Sequence, residues 1–307
     1  MNLLRNSPLK DLYFKKKNYF NHYIETDIRL NKNFLNLKPG HYFNDILYTR
    51  WPLYVSVAAF FMLFYFVMAL KRFTIAIPLS FLSLGLLLYY VFCWFSDMIL
   101  ESLVFGRYNR KVRAALSYGF MLFLVSEVFI FSGFFWAYFD RLFDPSTLTG
   151  GTSLPYGLEP LFKSFKPIYA TLVLVLSGYF ANWGIYYTHL GSLSDAYWYA
   201  YLAVICGVIF LLIQVSEYNS LLFTISDSVY ASSFYFLTGF HGLHVTIGLL
   251  FLAVQQDRMF RCQFNKARLL GYRFAVIYWH FVDYIWIFLF LAVYVVNWNY
   301  SYYYMWY

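Results

Sequence analysis

The chain has 307 residues, of which 61% are hydrophobic, 25% aromatic and only 12% charged. Soluble domains carry about 25% charged residues, so this chain cannot cover a folded core with a charged surface, and it is too hydrophobic to be a disordered protein. With 16 glycines, 8 prolines and 3 cysteines it is neither fibrous nor disulfide-rich, and a polytopic membrane protein remains.

Residues 1–50 form a polar and basic segment with nine Lys or Arg and four acidic residues. They lack the apolar stretch of about 7–15 residues that defines a signal peptide, and their acidic residues make a cleaved transit peptide a poor interpretation. We therefore expect residues 1–50 to form an N-terminal basic extension.

Seven long apolar runs follow this extension. A spanning helix needs roughly 20 mainly apolar residues, and none of the runs alternates polar with apolar residues as barrel strands do. The sequence therefore predicts an all-α protein with seven transmembrane helices, in which Pro78 is the one interruption. The runs cover residues 51–70, 73–96, 114–139, 167–188, 196–216, 228–256 and 274–298.

The basic residues are distributed unevenly between the two sides that seven spans would create. One side carries 18 of the 23 Lys and Arg residues, in 1–50, 97–113 and 257–273. Because basic segments stay on the cytoplasmic or matrix side, the N-terminus is expected there. The C-terminus lies opposite, where the aromatic tail 299–307 suits the membrane interface.

Acidic side chains inside spans are rare and costly, and Glu127 lies in the middle of the third run. It is either a proton site or headgroup contact, or a neutral carboxyl bonded to a neighbouring helix. His241 and His244 lie three residues apart and share a helix face. A metal or haem site would need ligands from other helices, so two neutral histidines hydrogen-bonded across helices are the preferred interpretation.

Further polar residues lie towards the last spans. His280 and Asp283 are three residues apart, which suits packing or lipid contact better than a proton relay. Glu217 ends the fifth run, and Asp227 precedes the sixth, where an acidic N-cap would be stabilised.

Two patterns bear on metal binding and on helix packing. The cysteines Cys93, Cys206 and Cys262 are widely separated, so no metal site and no disulfide is predicted. The sixth run carries three glycines that predict a close helix-packing face. They are Gly239, Gly242 and Gly248.

Several motifs resemble cytochrome c oxidase subunit III, in the order that this family has them. The segment 238–245 is the most specific, and 278–283 is nearly as informative. The matching segments are Trp51-Pro52-Leu53, Ser126-Glu127-Val128-Phe129, Gly133-Phe134-Phe135-Trp136-Ala137, Ser216-Glu217-Tyr218, Thr238-Gly239-Phe240-His241-Gly242-Leu243-His244-Val245 and Tyr278-Trp279-His280-Phe281-Val282-Asp283.

The resemblance implies a seven-helix subunit without haem or copper that packs against subunit I. A two-helix bundle, 51–96, and a five-helix bundle, 114–298, would flank a V-shaped cleft filled with phospholipids such as phosphatidylethanolamine, phosphatidylglycerol and cardiolipin. The basic loop 97–113 would join the two bundles. The subunit would stabilise the catalytic core and support proton uptake while the complex reduces oxygen with electrons from cytochrome c.

The resemblance also implies roles for single residues. Glu127 matches the membrane-embedded carboxylate of the family, and the expected lipid contacts are Glu101, Arg107, Glu127, His241 and Trp279. The chain also departs from the family pattern. Glu101 is not followed by the usual His pair, Trp183-Gly184-Ile185-Tyr186 replaces Trp-Ala-His-His, and Arg273 replaces an acid before the last helix. Arg107 is therefore the candidate headgroup partner in the loop. No catalytic residue is expected in this chain.

The expected location is the mitochondrial inner membrane, with the N-terminus in the matrix and the C-terminus in the intermembrane space. The partners would be subunits I and II, accessory subunits and a respiratory supercomplex, without nucleic acid. Three alternatives stay open: subunit III of a quinol oxidase, which typically lacks the first two helices, a proton-conducting transporter built around Glu127, and a haem enzyme using His241, His244 and His280.

Overall fold

The computed structural model describes residues 49–103, 108–144, 165–264 and 269–296. Within these ranges, seven helices are long and apolar enough to cross a membrane, which confirms the all-α class and the number of spans. They are α1 (Trp51–Leu70), α2 (Ala76–Leu103), α3 (Arg110–Phe143), α4 (Lys166–Leu190), α5 (Leu193–Tyr218), α6 (Val229–Phe260) and α7 (Leu270–Leu289). The N-terminal extension, Arg107 and the tail lie outside the described residues.

The helices differ from the apolar runs mainly at their ends. α3 has 34 residues and is about 51 Å long, so it extends past a hydrocarbon core of about 30 Å. Helical hydrogen bonding continues into flanking polar residues because their side chains can reach water beyond the core.

The prediction that Pro78 interrupts a span is wrong. Pro78 lies in the first turn of α2, where its missing N–H has no helical partner to lose. The irregular backbone lies instead at the end of the seventh span, where α7 continues as a π-helical segment, Phe290–Val295. Tyr294 of this segment is buried.

The chain divides into two compact units, with the boundary between Tyr118 and Gly119 inside α3. In the first unit α1 packs along α2. The Trp51 indole Nε1 donates to Asp97 Oδ2 at 2.5 Å, and the rings of Tyr54 and Tyr90 stack with centroids 5.5 Å apart. These contacts fix the start of α1 beside the second half of α2.

In the second unit, α4, α5, α6 and α7 pack in a ring in which α4 also contacts α7. The connection between α4 and α5 is tight. It turns at Gly191, whose φ of 91° lies in the left-handed region that glycine adopts without strain. The Gly191 N–H donates to the carbonyl oxygens of Tyr187 and Thr188, which ends α4.

Aromatic side chains hold α3 against α6 and α7. Ring centroids lie 4.4 Å apart for Phe120 and Phe274, and 4.7 Å apart for Phe134 and Phe240. Such ring pairs contribute about 0.5–1.5 kcal/mol beyond their buried area. The side chains of α3 that face this interface include the candidate site residue Glu127.

The centre of the second unit is the fully buried Trp279 of α7. Its indole Nε1 donates to Ser177 Oγ of α4 at 2.8 Å. A Cβ added at Gly207 would lie 2.8 Å from the Trp279 ring, and one added at Gly248 would lie 2.9 Å from it. Glycine on α5 and α6 therefore makes room for the indole.

The prediction that glycines of α6 allow close helix packing is confirmed at one position only. Gly248 contacts the Trp279 ring, as just described, whereas a Cβ added at Gly239 or Gly242 would meet nothing within 4 Å. These two glycines lie on parts of α6 that no neighbouring atom of the described chain approaches closely.

Candidate functional site

The membrane-embedded carboxyl of Glu127 on α3 pairs with His244 on α6. His244 Nε2 and Glu127 Oε2 are 2.8 Å apart, and 10% and 14% of the respective side chains are exposed. The Phe131 ring stands edge-on to the imidazole at 5.0 Å. The two residues are 117 positions apart in the chain, so no spacing rule could have paired them.

The hydrogen bonds of His244 restrict how protons are arranged in this pair. His244 Nδ1 lies 2.7 Å from the carbonyl oxygen of Phe240, and a carbonyl only accepts, so Nδ1 carries a proton. The contact at Nε2 then needs one more proton, either on the Glu127 carboxyl or on the imidazole. The pair holds this shared proton as a neutral acid and neutral base, or as a carboxylate and imidazolium.

His241, one turn before His244, lies in a different environment. Only 1% of the residue is exposed, and neither ring nitrogen has a hydrogen-bond partner within the described part of the chain. The imidazole packs against Phe210 and Trp286, with ring centroids 5.9 and 5.2 Å away. The expectations of a cross-helix hydrogen bond and of a lipid contact at His241 are therefore wrong.

His280 and Asp283 on α7 face α4. His280 Nδ1 lies 3.4 Å from Asp283 Oδ2, and His280 Nε2 donates to Asn182 Oδ1 at 2.9 Å. Asp283 is 6% exposed, and its Oδ1 has no partner among the described residues. Gly178 leaves the space for this carboxyl, since a Cβ there would lie 2.5 Å from Asp283 Oδ2.

The remaining acids lie at the end of α5 and in the connection to α6. Glu217 is buried and accepts from Gln214 Nε2 at 3.3 Å. Asp227 accepts from the backbone N–H and the hydroxyl of Thr224, at 2.6 and 2.9 Å, and these hydrogen bonds lower the pKa of Asp227.

The prediction that Asp227 caps α6 is wrong. The N-cap is Ser228, whose extended backbone lets its hydroxyl accept from the Ala231 N–H at 3.0 Å. Asp227 stabilises the preceding turn instead, through Thr224.

The other three predicted lipid contacts have three different outcomes. Glu101 on α2 is partly exposed and lies near Tyr108, whose pKa is raised by burial and further by the Glu101 charge. Trp279 is fully buried in the second unit, so the prediction that it contacts lipid is wrong. Arg107 lies outside the described residues.

Within the described ranges, no group of three or more His, Cys, Asp or Glu side chains is arranged to hold a metal ion. The free thiols of Cys93, Cys206 and Cys262 are far apart in the chain, on α2, on α5 and just after α6.

Comparison with known proteins decides the family. The model of the family "Cytochrome c oxidase subunit III" matches residues 41–300. The chain belongs to the cytochrome c oxidase subunit III family. Three relatives named cytochrome c oxidase subunit 3 are similar to this chain over most of their length.

The relatives come from animals and a plant. The chain is 36% identical to the protein of Tragelaphus oryx over 254 residues, which covers 83% of this chain and 97% of the relative. It is 40% identical to that of Equus asinus and 41% identical to that of Triticum aestivum. Each of these matches covers 215 residues and 69% of this chain, with 82% and 81% of the relative.

Family membership indicates the complex and the membrane in which the Glu127–His244 pair and the seven helices lie. A cytochrome c oxidase subunit III is one subunit of a multi-subunit respiratory oxidase, and with seven spans this chain is a multi-pass protein of the mitochondrial inner membrane. Both α1 and α2, which the quinol oxidase alternative would typically lack, are present.

Proposed function

We propose that this chain is the non-redox core subunit III of respiratory cytochrome c oxidase. Electrons from cytochrome c would reach oxygen through haem and copper centres held by subunits I and II. This chain would bind structural phospholipids, stabilise subunit I and support proton uptake. Its N-terminus would lie in the matrix and its C-terminus in the intermembrane space, as the distribution of basic residues favours.

The observation that carries the supporting role is the Glu127–His244 pair. A carboxyl and an imidazole 2.8 Å apart inside a span share a proton whose transfer between them creates no net charge. Both side chains keep a small exposed fraction, so the pair can exchange this proton with a group outside the helix bundle. A merely structural hydrogen bond would not require a titratable group at residue 127.

Phospholipid binding is supported by the acids that remain accessible. Glu101 and Glu127 are both partly exposed and can accept hydrogen bonds from an ammonium headgroup such as that of phosphatidylethanolamine. Arg107 stays the candidate partner for a lipid phosphate. His241 and Trp279 contribute to the interior and not to this contact.

The test compares Glu127→Gln with Ser126→Ala in the purified complex. The glutamine keeps a side chain of the same size but cannot give up a proton. Ser126 is the exposed neighbour, and among the described residues its hydroxyl donates only to the carbonyl oxygen of Phe123 in its own helix. Initial turnover, the lifetime of activity during sustained turnover and the retained lipid phosphorus would be measured.

We expect Glu127→Gln to shorten the turnover lifetime while leaving initial electron transfer unchanged, and Ser126→Ala to behave as the unaltered protein. An immediate loss of electron transfer in Glu127→Gln would contradict the non-redox role. An unchanged lifetime would contradict the role of this pair in proton uptake.

A further inference from the structure

The contact between α4 and α7 carries a row of polar side chains that we call the α4–α7 seam. It consists of His189 and Asn182 on α4 with Arg273, His280 and Asp283 on α7. A guanidinium nitrogen of Arg273 lies 3.5 Å from His189 Nε2. The other three residues form the hydrogen-bonded group described above, in which Asn182 is exposed and 29% of the His280 side chain is exposed.

The seam reaches deep into the region that the membrane covers. Asn182 lies eight residues before the end of α4, or about 12 Å along the helix. His280 lies ten residues after the start of α7, or about 15 Å. α4 is about 38 Å long and the seventh span, Leu270–Val295, is about 39 Å long. Each exceeds a hydrocarbon core of about 30 Å by only a few ångströms at each end, so both side chains lie within the core.

Exposed polar groups at this depth are unfavourable against acyl chains. Lipid tails offer no hydrogen bonds, and polar groups inside membranes almost always face protein or a water-filled cavity. The accessible Asn182 and His280 therefore indicate a surface that another protein covers in the membrane. The buried Asp283 holds His280 in place, with Gly178 providing the space.

The hydrogen bonds leave specific groups for a partner. His280 Nε2 uses the amide oxygen of Asn182, and the Asn182 amide nitrogen makes no hydrogen bond to a described residue. An amide N–H donates, so the missing group opposite Asn182 is an acceptor. Tyr284, one turn after His280, is 71% exposed and adds the kind of aromatic contact that protein interfaces favour.

We infer that the α4–α7 seam binds a transmembrane helix of a partner subunit, with a hydrogen-bond-accepting side chain of that helix placed against Asn182. The inference rests on the proposed function, because it requires that the chain assembles with other membrane subunits. It adds which face of the chain makes one such contact and what chemistry the partner supplies.

A membrane-dissolved photoactivated carbene tests this on the native complex in phosphatidylcholine vesicles. The reagent labels residues that face acyl chains. We expect Ile277 and Tyr284, which flank His280 on α7, to be protected in the intact complex and labelled in the dissociated chain. Equal labelling in both states would mean that lipid covers the seam, and would overturn the inference.

A benzophenone amino acid in place of Tyr284 identifies the occupant. Crosslinking to a different subunit within the intact complex supports the inference, whereas crosslinking to lipid or to a second copy of this chain overturns it. Failure of the chain to co-purify with any haem-containing subunit would instead count against the proposed function.

A matched pair of variants measures the contribution of the polar group. Asn182→Leu removes the exposed amide, while Val175→Leu alters an exposed apolar position two turns earlier on α4. We expect Asn182→Leu to shorten the half-life of the subunit in the detergent-solubilised complex several-fold, with Val175→Leu unchanged. Equal half-lives for Asn182→Leu and the unaltered protein would overturn the inference.

Discussion

The Glu127–His244 pair allows the position of its shared proton to be tested by stability. In the neutral form the Glu127 carboxyl donates to His244 Nε2, while Nδ1 donates to the Phe240 carbonyl. A glutamine at residue 127 can also donate through its amide N–H, so Glu127→Gln preserves the hydrogen bond of the neutral form. Glu127→Ala leaves Nε2 without a partner.

The expected magnitudes follow from the burial of both side chains and their 2.8 Å contact. Leaving a buried acceptor unpaired costs about 1–3 kcal/mol, and hydrogen bonds between membrane helices contribute about 0.6 kcal/mol on average and up to about 1.7 kcal/mol. We therefore expect Glu127→Ala to lower the free energy of unfolding by about 1–3 kcal/mol. We expect Glu127→Gln to change it by less than about 0.6 kcal/mol.

The assay is a double-mutant cycle with His244→Phe, measured by reversible unfolding in mixed detergent micelles. The cycle combines Glu127→Ala with His244→Phe, and it isolates the pair because each of these two variants removes the same contact. A coupling energy near zero would show that the pair is not formed. A Glu127→Gln variant as unstable as Glu127→Ala would contradict the neutral form and indicate a carboxylate–imidazolium pair.

Three further outcomes are expected. Gly248→Ala should lower the free energy of unfolding by about 1–3 kcal/mol, because the added Cβ would meet the rigid Trp279 ring. Gly239→Ala should leave the free energy of unfolding unlowered, because nothing lies near its Cβ among the described residues. Equal values for the two variants would refute the packing argument. His241→Leu should leave the free energy of unfolding unchanged or raise it, because neither ring nitrogen has a hydrogen-bond partner among the described residues, and a decrease of more than about 2 kcal/mol would contradict this. Asp227 has a lowered pKa, so its stabilisation of the turn with Thr224 is present above its unfolded pKa of about 3.9 and is lost as the pH falls through the folded value. Pepsin cleavage of this turn should therefore increase on acidification below about pH 4, and much less so in Asp227→Asn; the same pH dependence in both proteins would assign it to another group.

The sequence predicts the spans well because each apolar run is long and uninterrupted, and the backbone must satisfy its own hydrogen bonds in lipid. It predicts helix ends less well, since flanking polar residues can continue a helix, as Arg110 and Arg141 do in the first and last turns of α3. The cap of α6 depends on whether Asp227 or Ser228 adopts an extended backbone, and both residues suit the position.

The candidate site required three-dimensional contacts that the sequence does not encode locally. Glu127 and His244 each stand out as polar residues in apolar runs, yet only helix packing brings them together. Trp279 and His241 lie in motifs that resemble the lipid-lining parts of the family, but their burial depends on the glycines of neighbouring helices and on Trp286. Motif membership therefore predicted the family more reliably than the role of each residue.

The composition of the complex that contains this chain tests the central claim most directly. The complex would be isolated under mild detergent through a tag on this chain, and its subunits and haem absorbance would be measured. We expect haem and copper to co-purify with subunits I and II, and this chain to show no haem absorbance after separation. Recovery of the chain without any haem-containing subunit, or with haem bound to the separated chain, would contradict the account.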